Sequence, residues 1–209
     1  MVKVNGPMFS LGASGKLGGA IVYAIWKGRA YCRELVKPAN PKSDKQLSVR
    51  AAMTFLSTEW AGIGAPSKAT WEDLADADVV STFNAYVAAN LKRWRSFRGI
   101  GETANYTEAL ANATAGVATA TNGVRMITVT MPITAANFGW GLFIFRKTGS
   151  AVTPAFDNLV KILPIDGTND IVFIDTPLEP ATYHYDFYLC SGDGLFELES
   201  QPVDADATA

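Results

Sequence analysis

Apolar positions along this chain keep one spacing in its first half and another in its second. Ile21 to Trp26 and Ala30 to Val36 are runs rich in β-branched and aromatic residues, and they flank Lys27-Gly28-Arg29, where Gly28 is free to take positive φ. That pattern predicts a β-hairpin. In its second arm Tyr31, Arg33 and Leu35 share one face while Cys32, Glu34 and Val36 share the other, so neither face is purely apolar. An isolated hairpin of this kind is marginal and needs a partner surface. Pro38-Ala39-Asn40-Pro41 then stops the strand, because proline lacks an amide donor and keeps its predecessor extended.

Spacings of three and four follow. Ser43 or Asp44 can cap a helix running to about Ala61, with Leu47, Ala51 and Phe55 as one stripe and Val49, Met53, Leu56 and Trp60 as a second, which predicts a central helix. Gly62, Gly64 and Pro66 end it. Ser67 or Thr70 can cap a short helix containing Trp71 and Leu74, and a third helix is predicted over Ser81 to Phe97 from Val80, Phe83, Val87, Leu91 and Trp94.

From Val124 the period becomes two. Val124 to Met131, Gly141 to Lys147, Leu159 to Pro164, Asp170 to Asp175, Tyr183 to Cys190 and Leu195 to Glu199 are short strands between Gly, Pro, Asn and Asp turns, which predicts an antiparallel β-sandwich. The expected architecture is α+β in two domains: a hairpin with three helices over 1–98, a Gly-, Ala-, Thr- and Asn-rich linker over 99–122, and the sandwich over 123–209.

Composition alters this picture in one respect. The net charge of −2 over 209 residues conceals fourteen Lys and Arg against seven Asp and Glu in residues 1–100, and four against thirteen thereafter. A basic half is joined to an acidic one. The cations Lys27, Arg29, Arg33, Lys37, Lys92, Arg93, Arg95 and Arg98 form the set with most chemical weight. They can neutralise phosphates or steer an acidic protein surface. Trp26, Tyr31 and Trp94 lie among them, and aromatic residues with arginine are enriched in buried contacts.

Catalytic chemistry finds little material. His184 is the one histidine, and Cys32 and Cys190 are the two cysteines, which excludes a disulfide framework and fits a reducing cytosol. No metal and no cofactor is expected. Gly12-Ala13-Ser14-Gly15-Lys16 lacks the glycine at Ser10 and the hydroxyl at Leu17 that a phosphate loop needs. Asp166 to Asp170 and Asp193-Gly194 read as turns, and the sequons at Asn105 and Asn112 have meaning only on a secreted chain. The longest apolar stretch, Leu17 to Trp26, is glycine-broken and about half of the roughly 20 residues that span a bilayer. No membrane partner is expected, and the chain reads as a non-enzyme.

Two resemblances add to this. Leu178-Glu179-Pro180-Ala181-Thr182-Tyr183 resembles the approach to the sixth strand of bacterial and phage fibronectin type III domains, with Ala181 where glycine is usual. Trp140 to Arg146 is similar to their third strand, and the core tryptophan of the second strand is missing. The resemblance implies an Ig-like sandwich in which Tyr183 is a corner tyrosine tied to the backbone. Gly15-Lys16-Leu17-Gly18-Gly19, Trp26-Lys27-Gly28-Arg29-Ala30-Tyr31-Cys32-Arg33, Pro38-Ala39-Asn40-Pro41 and Gln46 to Arg50 resemble a family of uncharacterised virion proteins of tailed phages and prophages. That resemblance, over about residues 12–97, implies a structural component of the particle, made in the host cytoplasm. It would anchor to capsid, portal, neck or tail through residues 1–98 and assemble as a homo-oligomer. The interface residues expected are Trp26, Lys27, Arg29, Tyr31, Arg33, Arg93, Trp94 and Arg95. A cytosolic nucleic-acid-binding or adhesion module is the alternative reading.

Overall fold

The structure, a computed structural model, describes residues 2–3, 15–37, 39–40, 42–106, 117–132, 140–165, 170–197 and 203–209. The phosphate-loop residues Gly12 to Ser14, the prolines Pro38 and Pro41, the sequon residues Thr107 and 112–114, and the turn residues 166–169 lie outside them. The chain is α+β and divides into two compact units, Met1–Pro41 and Lys42–Ala209.

The first unit is a four-stranded antiparallel sheet of β1 (Val2–Lys3), β2 (Gly15–Leu17), β3 (Ile21–Trp26) and β4 (Arg29–Glu34), ordered β1-β4-β3-β2. Lys27 and Gly28 both take positive φ, 48° and 75°, so β3 and β4 close through a two-residue turn whose twist matches the strands. Trp26 is paired with Arg29 across it.

The second unit opens with four helices, not three: α1 (Asp44–Glu59), α2 (Ala65–Ala69), α3 (Glu72–Asp78) and α4 (Thr82–Arg95). Ser43 precedes α1 in extended conformation, and the Ser81 hydroxyl accepts from the Asn84 amide, 3.3 Å away, to cap α4. Trp71 stands at the N-cap of α3 rather than on a helix face. A mixed eight-stranded sheet follows: β5 (Thr119–Val124), β6 (Met126–Met131), β7 (Gly141–Thr148), β8 (Leu159–Pro164), β9 (Ile171–Asp175), β10 (Ala181–Cys190), β11 (Phe196–Glu197) and β12 (Val203–Thr208). Their order is β8-β7-β10-β12-β5-β6-β9, with β11 beside β10 and the β12–β5 pair parallel.

Two cores explain the arrangement. Ile127, Val129 and Met131 of β6 share one core with Leu142 and Ile144 of β7 and with Tyr185, Phe187 and Leu189 of β10, so the sheet folds over on itself. Phe143 and Phe145 alternate to the other face of β7 and are fully buried against Trp94, Leu56, Phe55 and Tyr86 of the helices. Both faces of β7 are covered, and the helices form a layer on the outer face of the sheet.

This layer corrects several expectations. The helices of residues 42–98 do not form a domain with the hairpin, because their apolar face is spent on Phe143, Phe145, Leu159 and Ile162. The boundary of compactness lies at Pro41, and the described residues of the predicted linker, 99–106 and 117–122, do not act as a plain linker. Ile100 is fully buried, the Glu102 amide donates to the Gly192 carbonyl at 2.6 Å, and residues 119–124 form β5. α1 is not central, since it buries one face, Ser48, Ala52, Phe55 and Leu56, while Met53 is exposed.

Candidate interaction surface

The residues predicted to make contacts fall into two groups with opposite surroundings. In the first unit none of the described residues is buried. Ile25 is 58% exposed and Trp26 64%, at the tip of the β3–β4 hairpin. The Lys27 ammonium sits over the Trp26 ring, 5.0 Å from its centroid. Arg29 and Arg33 are exposed and Tyr31 is half-buried.

Strand alternation and register assign the faces. Val22 pairs with Lys16 on one side and Arg33 on the other, Ala24 pairs with Tyr31, and Trp26 with Arg29, so these seven residues share one face. Tyr23, Cys32, Ile21, Glu34, Ile25 and Ala30 share the other. Glu34, the sole acid of residues 1–41, therefore projects away from Lys16, Arg29 and Arg33.

In the second unit Arg93 and Trp94 do not form an external interface. Trp94 is fully buried, its indole N–H donates to the Ser48 hydroxyl at 2.9 Å, and its ring lies 5.3 Å from that of Phe143 and 5.7 Å from that of Phe156. It is the centre of the helix–sheet core. Arg93 is directed inward, with Nε donating to the Gly99 carbonyl at 2.9 Å and Nη2 to the Gly194 carbonyl at 3.1 Å, and its guanidinium stacked 3.5 Å from the Tyr106 ring centroid. Its charge ties α4 to the residue 99–106 segment and to the turn after β10. Burial raises the Tyr106 hydroxyl to a pKa of about 12, against the lowering effect of Arg93. Arg95 does remain exposed, beside a cavity of about 420 Å³ lined also by Lys45, Val49, Arg50 and Phe156.

Asn90 completes this inner staple. Its carboxamide accepts from the Gly101 amide at 2.7 Å and donates to the Tyr86 and Gly101 carbonyls, and Gly101 is buried beside it. The Cys190 thiol donates to the Ile100 carbonyl at 3.1 Å, and burial pushes its pKa up to about 12. Asn90 and Cys190 carried no sequence signal beyond polarity inside an apolar run.

Elsewhere, the Tyr183 hydroxyl donates to the Glu179 carbonyl four residues upstream, 3.0 Å away. His184 Nδ1 lies 2.6 Å from an Asp204 carboxylate oxygen. A second polar group, Asp175, accepts from Arg146 at 2.6 Å and from the Tyr185 hydroxyl at 2.8 Å, and this raises the Tyr185 pKa after burial has done so. Among the described residues no group of three His, Cys, Asp or Glu could hold a metal ion, and no helix is long and apolar enough to cross a membrane. Compared with protein-family models, curated proteins and solved structures, the chain matches none.

Proposed function

We propose that this protein is a non-enzymatic structural component of a tailed-bacteriophage particle, attached to capsid, neck or tail through its N-terminal sheet and displaying a fibronectin type III-like domain. The observation that carries the reading is the bare first unit. A four-stranded sheet without one buried side chain among its described residues gains little from folding alone and stands to gain a core from a partner. The attachment surface narrows from residues 1–98 to Met1–Pro41, since the helices cover their own sheet. The motifs that resemble virion proteins, Gly15 to Gly19 and Trp26 to Arg33, fall on β2, β3 and β4.

The strand order β8-β7-β10-β12 and β5-β6-β9, folded face to face, supports the Ig-like reading, as does the Tyr183 hydroxyl bond at the start of β10. Mass spectrometry of purified particles tests the function. The protein is expected in them at a fixed copy number, and Ile25→Ser with Trp26→Ser in the full chain is expected to leave it in the lysate. Its absence from particles rejects the reading.

A further inference from the structure

The first unit carries an asymmetry that an attachment role does not require. One face of the sheet gathers Lys16, Arg29 and Arg33 around Tyr31 and the exposed Trp26, with Lys27 at the turn, and holds no acid among its described residues. Residues 1–41 contain six Lys and Arg and one acid, and that acid, Glu34, is on the opposite face. We infer that this cationic, aromatic face is a binding site for single-stranded nucleic acid. The inference stands independently of the proposed place in a particle.

The chemistry is specific to a strand with unstacked bases. Side chains on one face of a strand recur about every 6.7 Å and neighbouring strands lie about 4.8 Å apart, so Lys16, Arg29, Arg33 and Lys27 offer charges along and across a narrow ribbon. Phosphates are neutralised there with release of counterions. Trp26 presents its ring at the tip with Lys27 already lying over it, and an open base can take the place of that cation. Tyr31, one residue pair away on the same face, supplies the second ring. A paired duplex keeps its bases stacked and has no use for either ring.

Fluorescence anisotropy of the full chain with a labelled oligothymidylate of about 20 nucleotides tests this. Binding is expected at about 50 mM salt, weakening with a log–log slope of about −2 to −3 as three or four phosphates are engaged. A duplex of the same length should bind at least about tenfold more weakly, because its bases stay closed to the rings. Trp26→Ala should cost about tenfold and Trp26→Phe should restore most of it. Arg29→Ala with Arg33→Ala should flatten the salt slope by about 1.4, while Lys92→Ala with Arg95→Ala on α4 should leave both affinity and slope unchanged. All five substituted side chains, Trp26, Arg29, Arg33, Lys92 and Arg95, are exposed, so the variants keep the fold. Absence of binding, or binding indifferent to Trp26 and to both arginines, overturns the inference. Salt-sensitive self-association without oligonucleotide binding also overturns it, and gives the face to the acidic surface of a second copy.

Discussion

Trp26 and Trp94 stand in similar company along the chain and meet opposite fates. One is followed by Lys27, Gly28 and Arg29, and the other lies between Arg93 and Arg95. Trp26 is 64% exposed on a sheet none of whose described residues is buried, whereas Trp94 is fully buried against four aromatic rings. Local composition is the same and long-range company differs. A tryptophan among arginines therefore marks a contact without saying whether the contact is within the chain or outside it.

The largest expected effect separates these two residues. Trp94→Ala should destabilise Lys42–Ala209 by about 3–5 kcal/mol in urea unfolding, through the cavity and the unpaired Ser48 hydroxyl, while Trp26→Ala should stay within about 0.5 kcal/mol. Equal losses would erase the distinction between inner and outer contact.

The two cysteines sharpen it next. Cys190 is buried and Cys32 half-buried, so a thiol reagent should modify Cys32 in the native protein and Cys190 only on unfolding. The Cys190 thiol has its folded pKa raised from 9.0 to about 12, so folding favours its neutral form. The stability this provides is complete below pH 9 and lost as pH rises from there toward 12. Tyr106 acts in the same direction between 10.0 and about 12. The free energy of unfolding should fall above pH 9, by up to about 1.4 kcal/mol per pH unit for each group, and Cys190→Ala should blunt the first part of the fall.

Glycines give a smaller contrast. A Cβ at Gly99 would collide with the Gly194 carbonyl, so Gly99→Ala should cost about 1–3 kcal/mol by forcing apart the segments that Arg93 ties. At Gly28 there is open space but φ is 75°, so Gly28→Ala should cost about 1–2 kcal/mol from backbone strain, read as loss of order in the hairpin alone. The smallest effect has the opposite sign. The Tyr86 hydroxyl is buried without a hydrogen-bond partner among the described residues, so Tyr86→Phe should be neutral or stabilising by up to about 1 kcal/mol in thermal unfolding.

Much of the local structure was legible. β3, β4, β7, β8, β9 and β10 lie within a few residues of their predicted positions because each combines β-branched or aromatic residues with turn signals at both ends. β12 was not legible: Val203-Asp204-Ala205-Asp206-Ala207-Thr208 alternates correctly, but Ala205 and Ala207 are too small to register as a core face. β5 was hidden for the same reason in Thr119-Ala120-Thr121-Asn122-Gly123-Val124, which reads as linker. The helical layer was misassigned because periodicity reveals that a helix has an apolar face and not what that face meets. On the candidate site, the exposed hairpin residues were legible from the short strands around Lys27-Gly28. The inward turn of Arg93 was not, since its acceptors, the carbonyls of Gly99 and Gly194, lie up to 101 residues away.

The parallel seam between β5 and β12 bears on how the second unit breathes. Of the ladder contacts among the described residues, only Ala207 with Gly123 and Thr208 with Val124 join its two halves across that seam, whereas eight residue pairs join β7 to β10 beneath the helices. Opening at the seam also means parting the core that Ile127, Val129 and Met131 share with Tyr185, Phe187 and Leu189, and breaking the bonds of Asp175 to Arg146 and Tyr185. Side chains packed and bonded between the strands, more than the ladder, hold the half bearing β5, β6 and β9 to the half bearing β7 and β10.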